Sequence, residues 1–204
     1  MESSLWLAAA ACAALALLLG VLVSSRGPAA LDTAAFALRG HGVAVAFFFT
    51  LLGRWRVLFA LGAVAVGIAM TLREALEPVL LLLGAQVVSQ TTNSLLKLAF
   101  ARKRPYAFIG RREREASYPS GHSLTAIVFF GGFAVLASGA PFPTAVGSVL
   151  VAALLVCALA IPWSRLALGA HYLTDVVGGV VLGAGWLCAF LAALLHVTYH
   201  VAGG

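Results

Sequence analysis

Two histidines, one aspartate and five cations stand in three short polar stretches of an otherwise apolar chain: KLAFARKRP at 97–105, PSGH at 119–122 and SRLALGAHYLTD at 164–175. Lys97, Arg104 and Arg165 suit a phosphate, and each guanidinium offers a planar fork for two oxygens. Ser120, ahead of Gly121 and an apolar run, reads as a helix N-cap. A helix N-terminus is itself an anion site, and Gly121 lets the backbone approach a ligand closely. His122 then stands at the mouth of that site. Asp175 follows His171 by four residues. If both are helical they share a face; if Thr174 caps the helix instead, His171 lies in the preceding turn. Either geometry lets the carboxylate take a ring N–H from His171, fixing the tautomer and leaving the other nitrogen free as a nucleophile. Two histidines suit a nucleophile and a proton donor. Phosphate monoester hydrolysis is among the slowest uncatalysed reactions and needs both, beyond charge neutralisation alone.

Taken singly, each of these residues has a plainer reading. A lysine near a helix end commonly snorkels to water, a serine can cap a helix and do nothing else, and a lone histidine can be merely interfacial. The argument for one site comes from the elements that carry them. The chain has 204 residues, 62% of them hydrophobic and 10% charged, with mean hydropathy +1.04. A soluble domain of this size has too little core to hide so much apolar surface, and several runs approach the roughly 20 residues that cross a bilayer. The spacing predicts spans at 5–23, 57–72, 79–100, 123–140, 144–161 (ended by Pro162) and 175–195. Residues 24–56 read as a loop with an amphipathic or interfacial helix. The first run has no basic residue ahead of it and is expected to be a retained helix, not a signal peptide. The expectation is an all-α, six-transmembrane-helix integral membrane bundle, one domain over 1–204, with both termini on one side. Counting spans puts all three polar stretches on the same membrane face. The third span carries Gln86, Ser89, Gln90, Thr91, Thr92, Asn93 and Ser94 and should turn toward the bundle interior.

Formal net charge is +6, which favours anionic partners. Nucleic acid is excluded as a partner because no soluble basic domain exists to bind it. Cys12, Cys157 and Cys188 all fall in apolar runs and read as buried hydrophobes. No metal-ligand spacing occurs, so no metal or other cofactor is expected.

K-x6-R-P, P-S-G-H and S-R-x5-H-x3-D in this order resemble the three signature motifs of the type 2 phosphatidic acid phosphatase family. They match at Lys97, Arg104 and Pro105; at Pro119, Ser120, Gly121 and His122; and at Ser164, Arg165, His171 and Asp175. The resemblance implies that His171 attacks phosphorus and becomes phosphohistidine, that Asp175 orients it and that His122 protonates the leaving oxygen. Lys97, Arg104, Ser120, Gly121 and Arg165 would hold the phosphoryl oxygens without a metal. It implies a multi-pass plasma-membrane enzyme acting on a lipid phosphate or pyrophosphate: phosphatidate, phosphatidylglycerophosphate, undecaprenyl pyrophosphate or lipid A. A vanadate-dependent haloperoxidase resembles the site but is soluble and larger. A non-catalytic lipid-binding or transport protein would need the cations but no nucleophile. The resemblance places the site on the extracytoplasmic face, whereas the excess of Lys and Arg on that face argues for the cytoplasm. His41, His196, His200, Asp32, Glu74 and Glu77 read as surface or interfacial residues.

Overall fold

The computed structural model describes residues 1–106, 108–110, 113 and 115–202, the side chains of 199–202 excepted. Arg111, Arg112, Arg114 and the side chain of His200 lie outside the described residues. Among the described residues there are nine α-helices and no strand: α1 (Glu2–Arg26), α2 (Ala30–Ala35), α3 (Val43–Leu52), α4 (Trp55–Leu72), α5 (Glu77–Phe100), α6 (Gly121–Thr125), α7 (Gly132–Gly139), α8 (Thr144–Ala167) and α9 (Leu173–Ala202). A π-helical segment, Ala126–Gly131, joins α6 to α7 into one continuous span. Among the described residues, six helices are long and apolar enough to cross a membrane, as the sequence predicts.

The 24–56 region folds as two limbs, Ala30–Leu38 and Val43–Leu52, bent by 110°. Asp32 on one limb bonds Thr174, and Thr50 on the other bonds Ser164. Both limbs therefore gather at the face where α5 and α8 end and α6 and α9 begin.

Two sequence expectations are corrected. The fifth span does not stop at Pro162: α8 continues to Ala167. Proline forfeits one backbone bond inside a helix, but Ile161, Pro162, Ser164 and Arg165 are all buried against neighbours, and this packing outweighs the loss. The polar residues of α5 also divide. Gln86, Ser89, Asn93 and Lys97 recur at helical spacing along one buried face. Thr91, Thr92 and Ser94 lie on the exposed side and return their hydroxyls to carbonyls four residues back.

Close approach at glycines draws the helices together. A Cβ on Gly179 of α9 would sit 2.4 Å from the Ser120 carbonyl oxygen, and one on Gly178 would sit 2.4 Å from the Tyr118 ring. The Tyr118 hydroxyl in turn donates to the Ala16 carbonyl of α1. The PSGH turn is thus clamped between α9 and the first helix. Beneath it, Leu82, Leu124, Val128, Leu182 and Phe190 form the main apolar core.

Candidate active site

Lys97 is carried inward by the buried face of α5. The helix ends at Phe100, with Ala101 in the left-handed conformation. Lys97 and Arg104 therefore do not share one helix, yet the chain turns back and Arg104 reaches the same place. Its Nε donates to the Glu115 carbonyl at 2.8 Å and its Nη1 to the Ala170 carbonyl at 3.1 Å. Arg165 is fully buried at the end of α8, where Nη1 donates to the Thr50 hydroxyl at 3.2 Å.

Ser120 is the N-cap of α6. Its hydroxyl lies 3.5 Å from the Ser123 amide and accepts from the Ser123 hydroxyl at 2.9 Å. Its own N–H donates to the Asp175 carbonyl at 3.0 Å, which ties the start of α6 to the start of α9. Gly121 follows as the first residue of α6, where an added Cβ would come within 3.0 Å of the Asn93 side-chain nitrogen. His122 Nε2 is buried and without a hydrogen-bond partner. Its ring rests over Gly53, where a Cβ would lie 2.6 Å from His122 Cδ2.

Helix α9 begins at Leu173, so His171 lies in the turn before it, as in the second geometry, but Thr174 is inside the helix and does not cap it. Nε2 of His171 is 3.0 Å from Arg104 Nη1. A guanidinium only donates, so Nε2 presents its lone pair and the ring proton resides on Nδ1. Nδ1 faces Asp175 Oδ2 at 3.5 Å, longer than a hydrogen bond, and is otherwise unpartnered. The expected short bond is absent because Asp175 is shared: Oδ2 accepts from the Tyr172 amide at 3.0 Å and Oδ1 from Arg102 at 2.5 Å. Burial first, and then the charges of Arg104, Arg165 and Lys97, hold the His171 imidazole well below its usual pKa. The ring is neutral, as a nucleophile requires.

All eight residues expected from the sequence converge on this face. Their cations are not empty-handed. Glu113 bridges two of them, through Oε2 to Arg104 Nη2 at 2.7 Å and through Oε1 to Arg165 Nη2. Glu115 Oε2 takes Lys97 at 2.9 Å. Partial burial pushes the Glu113 carboxyl up, but the Arg165 and Arg104 guanidiniums outweigh it and hold its pKa at about 2. A carboxylate laid across two guanidiniums shows that the Arg104 and Arg165 forks can together hold a two-oxygen anion.

This chain matches the sequence profile of the PAP2 superfamily over residues 78–199. It belongs to the PAP2 superfamily. It is 35% identical over 121 residues to a lipid A 1-phosphatase of Rhizobium etli, covering 54% of this chain and 47% of that protein. It is 34% identical over 108 residues to a lipid A 1-phosphatase of Rhizobium johnstonii, covering 48% and 40%. The chain thus spans less than half the length of these curated relatives. The crystal structure of a transmembrane PAP2-type phosphatidylglycerolphosphate phosphatase from Bacillus subtilis superposes with a TM-score of 0.76, at 25% identity, over 93% of this chain and 96% of that one.

The PAP2 motifs leave out four charged residues that the fold brings to the site: Asp32, Arg102, Glu113 and Glu115. Asp32 is 1% exposed, which corrects its reading as a surface residue. It receives the Thr174 amide at 2.8 Å and Arg102 Nη2 at 2.9 Å. An available signal was its isolation: a lone acid between apolar stretches of a membrane protein is costly unless it has a partner. Glu113 and Glu115 had no comparable signal in a loop dense with charges of both signs. Among the described residues, no group of three or more His, Cys, Asp or Glu side chains is placed to hold a metal ion.

Proposed function

We propose that this PAP2 protein is an integral membrane lipid phosphatase, acting as one domain, that removes a terminal phosphate through a phosphohistidine. The observation that carries the proposal is the orientation of His171: its Nε2 lone pair faces the cations and its Nδ1 faces Asp175. The phosphoryl group of the substrate displaces Glu113 from Arg104 and Arg165 and is held there with Lys97 and the α6 N-terminus at Ser120 and Gly121. His171 Nε2 then forms the N–P bond as the P–O bond to the lipid breaks. His122 gives the leaving oxygen its proton, and Asp175 stabilises the imidazolium charge on His171. In the second half, His122 takes a proton from water, the water oxygen bonds to phosphorus and the N–P bond breaks, releasing inorganic phosphate. The three cations neutralise the charge that a metal neutralises in other phosphatases.

Similarity to lipid A 1-phosphatases and to a phosphatidylglycerolphosphate phosphatase favours a lipid A phosphate or phosphatidylglycerophosphate as substrate; phosphatidate and undecaprenyl pyrophosphate present the same terminal group. His171→Ala should lower turnover on every member of such a panel by at least about 10⁴-fold and eliminate the acid-labile radioactive phosphate trapped on the wild-type protein. Near wild-type turnover by this variant would overturn the reading.

The active site belongs on the extracytoplasmic face of the plasma membrane on this reading, with the basic residues of that face serving anionic head groups. Tyr106 is 89% exposed at the site end of the molecule. A cysteine placed there should react with a membrane-impermeant thiol reagent in intact cells. Reaction only after lysis, in a variant still active, would reverse the orientation.

A further inference from the structure

Behind Asp175, on the side away from the phosphate cradle, lies a second charged group that the reaction above does not use. Arg102 spreads its fork between two buried carboxylates, Nη1 on Asp175 Oδ1 at 2.5 Å and Nη2 on Asp32 Oδ2 at 2.9 Å. Asp32 is itself fully engaged. Its Oδ1 accepts the Thr174 amide at 2.8 Å, its Oδ2 accepts the Ala29 amide at 3.0 Å, and the Thr174 hydroxyl is 2.9 Å from both oxygens. The same hydroxyl accepts from Arg102 Nη1 at 2.8 Å, and the Tyr172 ring covers the guanidinium at 4.5 Å. Asp32 comes from α2, far outside the residues 78–199 that the family profile matches.

We propose that Asp32 is a positioning residue for His171, acting through Arg102 and Asp175; the proposal rests on the reading of His171 as nucleophile. Two physical effects support it. The first is geometric: Asp32 fixes both Arg102 and the Thr174 amide, so the start of α9 and the Asp175 carboxylate are held from two sides. The second is electrostatic. Arg102 alone would cancel the charge of Asp175, which would then do little for an imidazolium. With Asp32 present, the trio keeps one net negative charge beside His171. Buried ion pairs are a poor source of stability and are often replaceable by apolar groups. Three buried charges with nearly every polar atom satisfied, directly behind the nucleophile's own partner, fit positioning better than mere packing.

The test is steady-state kinetics on a soluble-chain lipid phosphate, with purified Asp32→Asn and Arg102→Lys, each also combined with Asp175→Asn. A single ammonium keeps the charge of Arg102 but cannot span both carboxylates. Each single variant should lose kcat by about 10- to 100-fold, the order seen for outer partners of metal-ligating histidines, with KM unchanged. In the Asp175→Asn background, neither should cost anything further, because the path runs through Asp175. Wild-type kcat in both folded variants, a loss confined to KM, or a fully additive loss in the Asp175→Asn background would overturn the proposal. Failure of both variants to fold would also overturn it, since the cluster would then be a determinant of folding. His171→Ala separates the two readings. If it keeps turnover, the nucleophile is wrong; if it is inactive while Asp32→Asn and Arg102→Lys match wild type, only the positioning role fails.

Discussion

Two groups of paired charges meet at His171, and they are built on opposite principles. On one side, Lys97, Arg104 and Arg165 are paired by Glu113 and Glu115, whose side chains are 33% and 75% exposed on a loop. On the other, Arg102 is paired by Asp32 and Asp175, both fully buried. The first set is built to exchange its counterions: its carboxylates reach solvent, and a phosphate dianion would offer the same two guanidiniums more charge. The second set cannot exchange, because removing one member strands a charge out of water. On the proposed function, an anion site that exchanges its partner is thus kept apart from an anchor that does not.

Breaking the exchangeable side should have the largest effect. Arg165→Lys removes the fork that spans Thr50 and the anion, and kcat/KM should fall by about 10²- to 10³-fold, with KM rising as well as kcat falling. That joint change separates it from a loss in kcat alone on the anchored side. If Arg165→Lys leaves KM untouched, Arg165 does not bind the ground-state phosphoryl group.

A smaller loss is expected at Gly53, which belongs to neither set but seats the His122 ring. The added methyl of Gly53→Ala meets His122 Cδ2 at 2.6 Å, so the ring must shift. Misplacement on the order of 1 Å costs up to about 100-fold in rate. The expected signature is a reduced kcat with vanadate inhibition unchanged, because the cations and His171 stay in place. Weaker vanadate binding would mean that Gly53 supports the cradle and not only His122.

Glu113→Gln should have the mildest effect and the opposite sign. Without the internal carboxylate, vanadate and inorganic phosphate should inhibit more tightly, by roughly tenfold for one lost competing charge at this partly exposed site. Unchanged inhibition constants would show that Glu113 does not share the phosphate position. The pH dependence follows from the depressed pKa. Its pairing favours the folded loop fully above the ordinary value of 4.5 and is lost only as pH falls toward about 2. Between pH 5 and 9 the Glu113 clamp does not titrate, so kcat profiles of wild type and Glu113→Gln should have the same shape.

The sequence made the exchangeable side largely legible. Lys97, Arg104 and Arg165, with His122 and His171 beside them, sit at spacings that a helix end, a cap and a turn explain locally, and Lys97 continues the buried spacing of Gln86, Ser89 and Asn93. The anchored side was legible only at Asp175, because its pairing is nonlocal: Arg102 meets Asp32 and Asp175 from 70 and 73 residues away. No local spacing encodes such a contact. The continuation of α8 through Pro162 was hidden for a related reason, since proline's local cost is visible in a sequence and the burial that outweighs it is not.

The most extensive helix contact joins α1 to α9, with Gly185 letting α9 approach to within 3.2 Å of the Ala9 carbonyl for an added Cβ. Helices far apart in the sequence therefore depend on each other. A ribosome delivers α1 to the membrane well before α9 exists, and α1 must wait there with its packing face turned to lipid. His171 and Asp175 arrive with the same late segment that completes this seam. Insertion and completion of the site are thus coupled: a nascent chain stalled before α9 would carry Lys97, Arg104 and Arg165 into the membrane without Asp175.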